Sequence, residues 1–199
     1  FTASWDEHPD RDEKWKQEEL GRIGEERFRR EYGCEFLVFD ETLVNSIVLS
    51  TLEGVEPKLN MGQTRWYKKM DPQKTYVVAL DPAMGTGGDN AAIQVLELPT
   101  FEQVAEWKHN TTPVPQQVRI LKDICNHIKD ETQTSGNNIY WSVENNTIGE
   151  SALLVINDFG EDQIPGMFVS EPIRKGHIRK FRKGFNTTHK TKISACSRL

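Results

Sequence analysis

Cysteine is scarce in this sequence. Cys34, Cys125 and Cys196 are the only three in 199 residues, odd in number and far apart. That excludes a disulfide framework and a CxxC zinc site, and reduced structural thiols are expected. Long apolar runs are missing too, since nothing approaches the roughly 20 residues a membrane-spanning helix needs. The first residues, Phe1 to Glu7, lack the basic-then-apolar layout of a signal peptide. A cytosolic protein with no membrane partner is expected. His8, His109, His127 and His177 do not stand at ligand spacing from one another or from cysteine, which argues against zinc. Ser142 is not in a GxSxG elbow, and no GxxxxGK[ST] loop occurs, so neither acyl transfer nor P-loop nucleotide binding is indicated.

What is present is a polar, foldable composition, 36% hydrophobic and 28% charged, with length for one well-buried domain and an appended segment. A net charge of -5 argues against a polyanionic partner only until its distribution is read. Residues 1–31 mix acids with bases. After Glu171 there is no acid at all, whereas Arg174, Lys175, Arg179, Lys180, Arg182, Lys183, Lys190, Lys192 and Arg198 accumulate. Such a one-sided stretch, with Ile178 and Phe181 interleaved, suits a groove that follows phosphates without reading sequence, or else an ordinary solvated basic loop or hairpin. His189 offers a proton shuttle, a phosphate contact or neither, on a segment that reads as a helix start.

Periodicity divides the rest. Arg11 to Tyr32 reads as one exposed amphipathic helix stopped by Gly33. Cys34 to Phe39 reads as a strand, and Leu43, Val44, Ile47, Val48 and Leu52 as a helix behind Asp40. Gly54 to Pro72 shows no periodicity and is expected to be loop, with Trp66, Tyr67, Trp107 and Trp141 read mainly as core aromatics. Tyr76 to Leu80, Ala91 to Leu98 and Gln103 to Trp107 read as three consecutive strands, hence an antiparallel meander. A helix carrying Val118, Leu121, Ile124, Cys125 and Ile128 follows, then a strand from Ile139 to Val143 and a helix from Ser151 to Phe159. A meander followed by crossover helices specifies an α/β fold with a mixed central sheet and flanking helices.

Two carboxylates directly follow two of the best strands: Asp81 after Leu80, and Glu144 after Val143. An acid after a strand is commonly a solvent-facing turn residue. Two of them at the carboxyl ends of parallel neighbours would repel unless a cation lay between, and Mg²⁺ or Mn²⁺ accepts that hard oxygen ligation while leaving positions for water and phosphate. Glycines 85, 87 and 88 then allow a tight turn and a close approach of a phosphate backbone. Asp89 either orients Asp81 or caps the turn.

The segments Asp81 to Ile93 (DPAMGTGGDNAAI), Ser142 to Thr147 (SVENNT) and Phe185 to Lys192 (FNTTHKTK) together resemble the carboxy-terminal nuclease domain of the large terminase subunit of T-even-like tailed bacteriophages. The resemblance implies a ribonuclease H-like nuclease that uses three acids and two Mg²⁺ or Mn²⁺ ions to cut concatemeric viral double-stranded DNA with little sequence preference. Asp81 matches the first acid and Glu144 the second. The third, an Asp after a further helix, has no match up to Leu199; Asp158 and Asp162 do not occupy its context. Residues 1–33 resemble the linker and trailing end of a preceding ATPase region, and 34–199 a nuclease domain truncated at its carboxyl end. The implied partners are that ATPase domain, the small terminase subunit and the portal, in the host cell cytoplasm. Two readings compete: a catalytically silent DNA-binding or motor-docking module of the same fold, and an ATPase of the actin and hexokinase-like kind.

Overall fold

The alternation of apolar residues from Tyr76 onward builds the body of the molecule, which we describe from a computed structural model covering residues 5–33, 51–175 and 178–196, without the side chains of 26, 30, 173–180 and 196. The chain divides into two compact units, 1–53 and 54–199.

In the first unit the single helix expected from Arg11 to Tyr32 is two, α1 (Glu13–Ile23) and α2 (Glu25–Glu31). Gly24 breaks it by adopting φ 81°, ψ 156°, far from helical values and open to a residue without Cβ. Asp12 caps α1, accepting from the Trp15 N–H at 2.8 Å. Trp5, Trp15, Phe28 and Tyr32 cluster, with Trp15 edge-on to Tyr32 at 5.1 Å. The strand expected at 34–39 and most of the helix expected after Asp40 lie outside the described residues; Thr51 and Leu52, at that helix's end, are not helical.

The second unit is a seven-stranded sheet with helices packed on it. The stretch expected to be loop holds a small hairpin, β1 (Leu59–Met61) and β2 (Thr64–Trp66). Three-residue strands are too short to show alternation. The hairpin is fixed by antiparallel pairing of Arg65 and Trp66 with Glu106 and Ala105, and Trp66 and Met70 join the core. The meander is as expected: β3 (Thr75–Asp81), β4 (Ala91–Leu98) and β5 (Glu102–His109). Helix α3 (Val114–Thr132), with Pro115 in its first turn, crosses back so that β6 (Ile139–Val143) lies beside β3. Helix α4 (Thr147–Phe159) begins four residues earlier than expected, because the Asn146 side chain caps it by accepting from the N–H groups of Ile148 and Gly149. Short β7 (Met167–Phe168), a separate basic hairpin of β8 (Glu171–Lys175) and β9 (Ile178–Arg182), and α5 (His189–Cys196) complete the unit.

The sheet order is β1-β2-β5-β4-β3-β6-β7, with β3–β6 and β6–β7 parallel and the other pairs antiparallel. This is the mixed α/β sheet that the pattern specified. Tyr76, Val78 and Leu80 of β3, Ile93 and Val95 of β4 and Trp141 of β6 are buried with Leu121, Cys125 and Ile128 of α3. Helices α3 and α4 pack on each other and both meet β6. The alternate residues Thr75, Val77 and Ala79 face away from that core.

Where β3 ends, a buried polar residue holds the chain. The Gln117 side chain, fully buried on α3, donates to Ala83 O (2.6 Å) and Thr112 O (2.7 Å) and accepts from the Ala83 N–H (3.3 Å). It thereby ties the turn after Asp81 to the start of α3. Gln117→Leu leaves these backbone groups unpaired, and chemical denaturation should show a loss of about 2–4 kcal/mol. A loss within error would mean that the turn is held otherwise.

Candidate active site

The pairing of β3 with β6 decides where the two acids stand. In a parallel pair, residues opposite each other project to the same face. The register runs Ala79↔Ser142 and Leu80↔Val143, and the Glu144 N–H donates to Leu80 O at 2.8 Å. Asp81 and Glu144 therefore continue the two strands side by side at their carboxyl ends, the edge where α/β sheets place their sites. They share a cleft of about 510 Å³ with Val77, Ala79, Gln94, Thr187 and Lys192.

The carboxyl of Asp81 is held protonated to unusually high pH, with a pKa near 7 against an ordinary 3.8. Partial loss of solvent around the carboxyl in the cleft is the main cause, although the residue as a whole is exposed. A side-chain hydrogen bond with Glu144 and the repulsion of that carboxylate add to it. Glu144 is half-buried, and one of its oxygens accepts from Asn146 Nδ2 at 3.1 Å. Asn146 thus does two things, capping α4 with its oxygen and steadying Glu144 with its nitrogen. Two hard oxygen donors that cannot comfortably both be anionic are the donor set a divalent cation such as Mg²⁺ takes, since that ion keeps most of its shell as water and phosphate. Among the described residues no group of three or more acidic, histidine or cysteine side chains forms.

The other expected site residues are dispersed. Asp89 is exposed in the turn before β4 and does not line the cleft. Of the basic stretch, Arg174, Lys175, Arg179 and Lys180 lie on the β8–β9 hairpin, their side chains outside the description. Arg182 is exposed, and Lys183 is paired with Glu161 at 2.9 Å. His189 and Lys190 are exposed in the first turn of α5, and Lys192 of the same helix lines the cleft. Asn145, Asn146 and Thr187 were not identified from sequence. An N-cap preference at Asn146 was the one local signal available. The indoles of Trp66, Trp107 and Trp141 are buried, as expected of core residues.

A family model described as the terminase RNase H-like domain matches residues 78–191, more than half of the chain. No protein of curated function matches. Among solved structures, the large terminase nuclease from thermophilic phage G20c with bound magnesium is similar over 73% of this chain and 62% of its own, with 14% identity and a TM-score of 0.50. Another structure of that nuclease aligns over 53% of this chain and 51% of its own at 17% identity and a TM-score of 0.42. The Thermus phage P74-26 large terminase nuclease domain aligns over 53% and 49%, at 19% identity and 0.39. The likeness to the magnesium-bound structure is one of fold. The chain spans between half and about three-fifths of the first two structures.

Because the folded-state value of Asp81 lies above its ordinary one, its proton favours the folded chain. That contribution is complete below about pH 4 and is lost as the pH rises through about 7. Without divalent ions, thermal stability should therefore decline across that interval in the wild type and decline less in Asp81→Asn. Equal slopes in melting curves taken in chelator would show that the two carboxyls do not share a proton.

Proposed function

This chain belongs to the terminase RNase H-like domain family, and we propose that it is the metal-dependent endonuclease that cuts concatemeric viral double-stranded DNA during genome packaging. One observation carries the reading: Asp81 and Glu144 stand side by side at the ends of paired parallel strands, on the floor of an open cleft. Asp81 and Glu144 hold two Mg²⁺ or Mn²⁺ ions in the complete site. When bound, such ions supply an activated water and neutralise charge on the leaving oxygen. The magnesium in the G20c relative supports that choice of ion.

The chain's own residues do the rest. Asn146 orients Glu144, and the turn that Gln117 anchors fixes the exit of Asp81 from β3. Arg174, Lys175, Arg179, Lys180, Arg182, Lys183, His189, Lys190 and Lys192 follow the phosphates, so DNA is gripped with little sequence preference. Residues 1–33 are read as the linker and trailing end of an ATPase region, and the partners as that ATPase domain, the small terminase subunit and the portal. The place of action is the host cell cytoplasm; among the described residues no helix is long and apolar enough to cross a membrane.

A second reading, a catalytically silent DNA-binding or motor-docking module, is favoured by the lack of a third acid beside the pair among the described residues. Plasmid cleavage by the full-length protein in Mg²⁺ or Mn²⁺ separates the two. Asp81→Ala and Glu144→Ala should each slow cutting by at least about a hundredfold, the few kcal/mol a lost metal ligand removes from transition-state stabilisation. DNA retention should persist. Undiminished cleavage by Asp81→Ala would leave the silent module.

A further inference from the structure

Downstream of the basic hairpin, a short strap is fastened to the strand end that bears Glu144. Gly184 opens it at φ 71°, where a Cβ would meet Val143 O at 2.4 Å, so only glycine permits so close an approach. The Phe185 N–H donates to Val143 O (3.0 Å) and the Asn145 N–H to Phe185 O (2.6 Å), which makes a parallel bridge between Glu144 and Phe185. Asn145 adds a side-chain bond, its Nδ2 donating to Lys183 O at 2.8 Å. The strap then enters α5 through a reciprocal cap. The Thr191 N–H donates to Thr188 Oγ1 (3.2 Å) and the Thr188 N–H to Thr191 Oγ1 (2.8 Å). The next residue is Lys192.

Lys192 is the one cation among the residues that line the acid cleft. Lys183, by contrast, is engaged with Glu161. Among the described residues no carboxylate lies within ion-pair distance of Lys192. A cation that lines the same cleft as two acids yet pairs with neither is available to a third anion. In hydrolysis of a phosphodiester, water bonds to phosphorus as the bond to the leaving sugar oxygen breaks, and charge grows on the non-bridging oxygens. A compact ammonium brought there by a hydrogen-bonded strap would stabilise that charge without taking a proton.

We propose that Lys192 contacts a non-bridging oxygen of the scissile phosphate and that Asn145, through the strap, is the positioning residue that keeps it there. This rests on the nuclease reading, and it gives Lys192 a role different from that of a groove contact. The experiment uses the full-length protein and linear double-stranded DNA, comparing Lys192→Ala, Lys192→Arg, Asn145→Ala and the double variant, with Asp81→Ala as control. Loss of one preorganised donor should lower kcat of Lys192→Ala by about a hundredfold. KM for DNA should stay within about threefold, and arginine should recover part of the rate. Asn145→Ala should reproduce a smaller kcat defect, and the double variant should be no slower than Lys192→Ala, as expected for two residues acting through one contact. Mn²⁺ binding without DNA, followed by electron paramagnetic resonance, should be no weaker in Lys192→Ala than in the wild type, because a positive charge has left the cleft. A raised KM with kcat intact, or weakened Mn²⁺ binding, overturns the proposal. Wild-type rates in Lys192→Ala with loss in Asp81→Ala overturn this inference alone; wild-type rates in both overturn the nuclease reading itself.

Discussion

Two carboxylates forced together by a parallel strand pair are the constraint on which the rest of this structure depends. Once β6 lies beside β3 in the register Leu80↔Val143, Asp81 and Glu144 have nowhere to project but the same end of the same face. Loss of solvent around its carboxyl, with Glu144 beside it, holds a proton on Asp81 to near pH 7. Left to itself, an acid pair of this kind works against stability above neutrality.

The surroundings make sense as a frame for that pair. Gln117 anchors the turn that leaves β3, Asn146 steadies Glu144 while starting α4, and the strap after Gly184 closes along the end of β6. Each fastening is made largely by backbone groups and uncharged polar side chains. The basic hairpin β8–β9 runs directly into the strap, and the strap is bonded to the end of β6 that bears Glu144. The net charge of -5 hides an uneven distribution: beyond Glu171 there are basic residues and no acid.

Much of this was legible in the residues. The meander, the crossover helix and the strand at 139–143 announced themselves by alternation or by helical spacing, and the acids by their places at strand ends. What escaped did so for identifiable reasons. The hairpin at 59–66 is too short to alternate and depends on its partner β5.

 Two residue pairs, Arg65 with Glu106 and Trp66 with Ala105, join the hairpin to β5, and nothing local in the sequence signals them. The break at Gly24 depends on a backbone angle that composition does not reveal. Helix α4 begins at Thr147 because of a side-chain cap, not because of apolar periodicity. Asn145 and the placing of Lys192 follow from pairing between residues about forty apart in sequence, and no local pattern encodes such a contact.

The most direct measurement of the central claim is an anomalous difference map from crystals of the full-length protein soaked in Mn²⁺. The account predicts a manganese peak bound by the carboxylates of Asp81 and Glu144, absent from crystals of Asp81→Asn grown and soaked alike. Manganese bound elsewhere while these two carboxylates remain bare, or an unchanged peak in Asp81→Asn, would contradict it.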